Sequence, residues 1–196
     1  GHAYLGASYW VDVGVKNLYS SSQANDTFDR AYEREVEEWG TRVSHLLTHS
    51  ARNVTDKFTT FDGKMTVDVG GGETFELVDF GPGHTPASTS VYIPSRNLFL
   101  SGDLAFNERM PVMFNYTNSF DWMASYDNMM KVIPADAKVI PGHGTPTDMA
   151  TVKKQTYDYF RYIKKELKKI VEAAGTADQA EKVEKSTHND RAGFEV

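Results

Sequence analysis

The chain has 196 residues, 40% of them hydrophobic and 12% aromatic, with a formal net charge of -6 and no cysteine. That length fits one domain with a packed core, and the composition lies outside the disordered class. The acidic balance excludes a general binder of nucleic acid or of a membrane surface, which needs a basic face to gather phosphates.

A disulfide, a thiolate metal site and a cysteine nucleophile are excluded together, while the compartment stays open to cytosol or periplasm. No run of about 18 apolar residues is present, so no helix of bilayer-spanning character is expected.

In chain order, residues 1–10 read as a short helix or turn. Residues 15–20 alternate like a strand, ended by Ser20, Ser21 and Ser22. From Asn25 to about His49, Phe28, Tyr32, Val36, Trp39, Val43, Leu46 and Leu47 recur at helical spacing. Asn25 or Asp26 is the expected cap, and Gly40 is the expected break. Residues 65–69 and 74–80 form a hairpin about Gly70, Gly71 and Gly72; residues 90–93 and 98–100 form a second about Pro94-Ser95-Arg96-Asn97. A helix fits residues 121–133, a short buried strand fits 138–140, and a long amphipathic helix fits 148–174, closed by Gly175. The expected organisation is one α/β domain over 1–175, a mixed sheet with flanking helices, followed by a polar tail over 176–196.

Three glycine-flanked places at strand ends carry chemistry. They are Pro82-Gly83-His84-Thr85, Ser101-Gly102-Asp103 and Pro141-Gly142-His143-Gly144. Imidazole and carboxylate held on rigid strand ends suit a zinc or iron site, where ligands must reach the metal at about 2.0–2.2 Å. Centring the second hairpin between Ser95 and Arg96 sets Ser88 opposite Asp103, which brings His84 to the same end as Asp103. A lone histidine beside glycine is ordinarily a turn or core residue, and a lone aspartate ordinarily a cap. From spacing alone, a shared metal site and three unrelated turns both stay open. His45 and His49, one helical turn apart, can bind zinc in principle, but no Glu lies between them; a solvated or capping role is expected. His188, in the polar tail, reads as structural.

Taken in order, Pro82-Gly-His-Thr-Pro-Ala-Ser-Thr, Leu98-Phe-Leu-Ser-Gly-Asp-Leu and Val139-Ile-Pro-Gly-His-Gly resemble the last three metal motifs of the metallo-β-lactamase superfamily. The resemblance runs from about Gly63 to Pro146. It implies half of an αββα sandwich and a metal-dependent hydrolase of an ester, thioester, lactone or related bond. It also implies a small-molecule substrate and two zinc ions, with iron or manganese as alternatives. His84 then serves one metal, Asp103 bridges both and is the catalytic carboxylate, and His143 serves the second. The family's opening signature, His-x-His-x-Asp-His, is absent. Gly1-His2-Ala3-Tyr4-Leu5 looks like the stretch that commonly follows it, which makes His2 a neighbour of the site rather than a ligand. The expectation is a chain beginning just downstream of the signature, inactive by itself and prone to self-association through an exposed apolar patch.

Lactamase subclasses that use a cysteine ligand are excluded. The glyoxalase II pattern fits poorly at Asp103-Leu-Ala-Phe-Asn-Glu-Arg-Met-Pro and at Pro-Gly-His-Gly. Residues 102–111, with Trp122, are more similar to the SoxH-like, quinoprotein-associated branch, whose substrates are poorly defined. A mononuclear iron dioxygenase of the persulfide type and a non-catalytic half-domain are the rival readings.

Overall fold

The structure is a computed structural model that describes residues 3–45, 49–181 and 183. The chain divides into two compact units, Gly1–Met65 and Thr66–Val196. No helix among the described residues is long and apolar enough to cross a membrane.

The first unit holds α1 (Ala7–Asp12), β1 (Leu18–Ser21), α2 (Ser22–Arg42), a 3-10 turn (Thr55–Lys57) and β2 (Phe58–Phe61). β1 and β2 pair in parallel, from Leu18 opposite Phe58 to Ser21 opposite Phe61. Tyr4 stacks on Phe28 with ring centroids 4.4 Å apart and lies 5.0 Å from Phe58, which closes a small apolar centre. Two details differ from expectation. The cap of α2 is Ser21, not Asn25 or Asp26: its extended backbone lets the hydroxyl accept from the Ala24 N–H. Serine does this because its short side chain reaches the free amide of the first turn. The serine run therefore starts the helix three residues early. Gly40 does not break α2. It is buried in the helix, where packing offsets the roughly 1 kcal/mol that glycine costs relative to alanine. β2 has no expected counterpart, since Phe58-Thr59-Thr60-Phe61 is too short a run to show a period.

The second unit is built on a six-stranded sheet whose strands lie in chain order: β3 (Lys64–Gly70), β4 (Glu73–Asp79), β5 (Thr89–Ile93), β6 (Leu98–Phe106), β7 (Lys138–His143) and β8 (Thr147–Asp148). β4, β5 and β6 are antiparallel neighbours, β6 and β7 are parallel, and β7 and β8 are antiparallel. The sheet is therefore mixed, as expected. The β5–β6 hairpin pairs Val91 with Leu100, Tyr92 with Phe99 and Ile93 with Leu98, the register that a turn centred between Ser95 and Arg96 requires. The parallel step from β6 to β7 needs a crossover, which carries α3 (Ser119–Val132). Asn118 caps α3 by accepting from the Phe120 and Asp121 amides. Trp122, Ser125, Tyr126 and Met129 are its buried positions, the three- and four-residue spacing of one helix face.

The helix that follows β8 is continuous but not uniform. α4 (Met149–Val152), capped by Asp148, passes through a π-helical turn (Lys153–Tyr157) into α5 (Asp158–Glu172). α6 (Ala177–Glu181) follows. Phe99, Leu104, Phe106, Trp122, Met129 and Val152 anchor the core of this unit.

β6 is longer than sequence spacing placed it. Expected to end at Leu100 with Asp103 in a loop, it runs on to Phe106, so Asp103 lies within the strand. The pairing with β7 shifts register between Leu100 and Gly102 and again before Phe106. Gly102, at φ +53, supplies the left-handed residue at this irregularity, which glycine adopts without a Cβ clash. β7 likewise extends past Ile140 and ends on His143 itself.

Candidate metal centre

His84 comes from the β4–β5 loop, Asp103 from the middle of β6 and His143 from the end of β7. Asp103 stands between the two imidazoles. Its Oδ2 is 3.7 Å from His84 Nδ1, and its Oδ1 is 3.6 Å from His143 Nε2. The structure thus brings the three sequence-selected residues together around one carboxylate, with a different oxygen facing each ring.

Backbone geometry makes that proximity possible. A Cβ on Gly142 would lie 2.0 Å from Asp103 Oδ1 and 2.7 Å from the Gly102 carbonyl carbon. Only a glycine lets β7 pass this close to the carboxylate. Gly144, at φ +91, sits where a Cβ would be 1.9 Å from the Asn107 carbonyl oxygen.

Each imidazole is also held from behind. His84 is 6% exposed; its ring meets Phe114 edge-on at 5.0 Å and Trp122 at 5.9 Å. Its carbonyl accepts from the Thr117 hydroxyl at 2.9 Å. Trp122 is itself fixed by donating its indole N–H to the Leu104 carbonyl at 2.9 Å. On the other side, the His143 ring stacks on Phe106 with centroids 5.0 Å apart. The loop after β6 clamps the loop after β7. The Asn107 N–H donates to the His143 carbonyl, the Asn107 side chain donates to the Thr145 carbonyl, and Glu108 accepts from the Thr145 amide and hydroxyl. Glu108 has φ +56, a conformation that non-glycine residues hold only when neighbours fix it.

Arg109 Nη1 lies 2.9 Å from His143 Nδ1. A guanidinium has no acceptor, so it donates and Nδ1 accepts. In the neutral, metal-free ring the proton then belongs to Nε2, the nitrogen that faces Asp103, and a cation held there would have to displace it. Phe106, Asn107, Arg109 and Phe114 escaped sequence reasoning. The one usable signal was their position just downstream of Asp103, in a loop rich in side chains that hydrogen-bond or stack.

Two imidazole nitrogens and two carboxylate oxygens are donors suited to zinc, iron or manganese. The 3.6 and 3.7 Å gaps exceed hydrogen-bond range, which ends near about 3.2 Å. They come close to the roughly 3.4 Å that two donors keep when each is about 2.1 Å from a tetrahedral ion. The donor chemistry and spacing therefore fit a cation between each pair. The donor number is smaller than a closed site needs: among the described residues no three His, Asp or Glu side chains converge on one point.

His45 and His49 lie in the first unit, both exposed, with the His49 amide donating to the His45 carbonyl at 2.8 Å. Residues 46–48 between them, and His2 and His188, lie outside the described residues.

The sequence model of the metallo-beta-lactamase superfamily matches residues 2–144. Over 79 residues, 39% of this chain, the sequence is 32% identical to the probable metallo-hydrolase YqgX of Bacillus subtilis (strain 168) and covers 36% of that protein. Among solved structures, a metallo-beta-lactamase from Pontibacter korlensis superposes with a TM-score of 0.60 at 20% identity, covering 80% of this chain and 62% of that one. The DIM-1 metallo-beta-lactamase gives 0.58 at 19% identity, covering 78% of this chain and 61% of that one.

Proposed function

The chain belongs to the metallo-β-lactamase superfamily, and from that premise we propose that it is the metal-binding part of a metal-dependent hydrolase. The substrate is a small molecule with an ester, thioester, lactone or related bond. His84 and one oxygen of Asp103 would hold one cation; His143 and the other oxygen would hold the second. Zinc is the metal this donor set favours, with iron or manganese as the alternatives. The observation that carries the reading is the carboxylate of Asp103, whose two oxygens stand 3.7 and 3.6 Å from two different imidazoles.

A metal pair bound there would bring the pKa of a bound water toward about 7 and polarise the oxygen of the bond to be cut. The chain's own residues do the rest. Asp103 supplies the negative charge that offsets two nearby cations. Phe106, Phe114 and Trp122 pack rings against the two imidazoles, which fixes ring orientation. The Asn107–Glu108 clamp holds the end of β7 against the end of β6.

These three residues give each cation two protein donors, whereas catalytic zinc keeps three plus a water. The activity therefore depends on further donors, and residues 1–196 by themselves should bind zinc weakly and leave a generic ester intact. The test measures zinc stoichiometry and p-nitrophenyl acetate hydrolysis in this chain and in a longer protein with His-x-His-x-Asp-His ahead of Gly1. The longer protein should hold two equivalents and turn over, and Asp103→Asn in it should lose both. Tight binding of two zinc ions and turnover by residues 1–196 unaided would contradict this donor count. A content of one iron and no zinc would move the reading to the iron dioxygenase.

A further inference from the structure

The π-helical turn Lys153–Tyr157 interrupts an otherwise regular helix. Such turns are rare and widen the helix by one residue, commonly beside functional sites. Thr156, within this turn, is fully buried. Its hydroxyl accepts from the Phe106 amide at 2.8 Å and donates to the Phe106 carbonyl at 3.2 Å. A threonine in a regular helix usually turns its hydroxyl back on its own carbonyl ladder. Here the hydroxyl serves both backbone groups of one residue on another element.

Phe106 ends β6, just past the second register shift. Its ring packs against both imidazoles, 5.0 Å from His143 at an interplanar angle of 29° and 6.0 Å from His84 at 34°. A continuous line of contact runs from the Thr156 hydroxyl through the Phe106 backbone to its ring and on to both histidines. We propose that Thr156 is a positioning residue for the site, delivered by the π turn to hold Phe106, whose ring backs both His84 and His143. Val152, one turn earlier and also fully buried, packs without a polar bond to Phe106 and provides the contrast. The metal consequence rests on the proposed function; the geometric consequence does not.

The test uses the full chain labelled with ¹³C and ¹⁵N. Thr156→Val keeps the shape and removes both hydrogen bonds, Thr156→Ser keeps the hydroxyl, and Val152→Ala loosens the same helix while leaving the hydrogen bonds to Phe106 in place. The imidazole C–H shifts of His84 and His143 report the ring current of Phe106 with no metal needed. Both sets should move in Thr156→Val, return in Thr156→Ser, and hold their wild-type values in Val152→Ala. If Thr156→Val does not fold, Thr156→Ala also removes both hydrogen bonds, without pressing a second methyl against the Phe106 backbone. Zinc affinity, from competition with a chromophoric chelator in the longer protein that carries His-x-His-x-Asp-His ahead of Gly1, should fall about tenfold in Thr156→Val, the lower range for loss of an outer support. Unmoved imidazole shifts in Thr156→Val, or equal movement in Val152→Ala, would overturn the proposal. If the shifts move as stated and the longer protein, with or without the Thr156 substitutions, binds no zinc, the metal reading fails and the positioning role stands.

Discussion

Gly142→Ala is the sharpest single perturbation of the site. The added methyl would lie 2.0 Å from Asp103 Oδ1, 2.7 Å from the Gly102 carbonyl carbon and 2.8 Å from the Asp103 amide nitrogen. Carbon atoms pack best at about 3.5–4.0 Å. Rotation of the Asp103 side chain relieves the first contact but takes Oδ1 away from His143. It does nothing for the other two, which are backbone. β7 must therefore retreat from β6 by roughly 0.5 Å or more, at the point where Gly102 pairs with Pro141. Overpacking costs about 1–3 kcal/mol, and two rigid backbone neighbours place this case near the upper end, about 3 kcal/mol.

For a chain of this length each kcal/mol lowers Tm by about 2–4 °C, so calorimetry should find Tm lower by about 6–12 °C. Zinc affinity should fall with it, because the two faces of the site separate. Gly71→Ala is the control. It has φ +65 and open space around its Cβ, so only backbone strain of about 1 kcal/mol applies, with zinc affinity unchanged. A Gly142→Ala protein within about 2 °C of wild type, with unaltered zinc affinity, would refute the close approach of β7 to Asp103.

Asp103→Asn should cost zinc affinity at least about 100-fold by chelator competition, since loss of even an outer partner costs 10–100-fold; an unchanged affinity would remove Asp103 from the site. Arg109→Gln removes an obligate donor from His143 Nδ1, so Nε2 is freed to face a cation as an acceptor. Zinc should bind more tightly in that variant, and weaker binding would assign Arg109 the opposite role. On the acid side, Asp148 has its pKa lowered, first by the backbone hydrogen bond from Thr151, and Glu73 has its pKa lowered, first by the hydrogen bond from Arg96. A depressed folded pKa gives stability that is present above the unfolded value and lost as pH falls through the folded one. Tm should therefore drop below about pH 4, and Asp148→Asn, which keeps the cap, should make that drop shallower.

The site was legible because its three donors sit in short glycine-bearing strings, and glycine marks the places where backbone must turn or approach closely. Gly142 and Gly144 do this literally, each lying where a Cβ would strike Asp103 or Asn107. The hairpin register was legible for a similar reason: turn residues at 94–97 fix the pairing of Val91 with Leu100 arithmetically. What sequence did not disclose depends on partners far along the chain. β6 continues past Leu100 because β7, almost 40 residues later, offers a second ladder at shifted register, and no local pattern contains that. Thr156 reads as an ordinary helical residue until Phe106, 50 positions earlier, takes its hydroxyl. The serine cap of α2 was misplaced by the opposite error, because the same short polar side chains end strands and start helices. Residues that hold a ligand must carry particular chemistry, so they announce themselves in sequence. Residues that hold those residues need only the right shape at the right distance, and that becomes visible once the strands are paired.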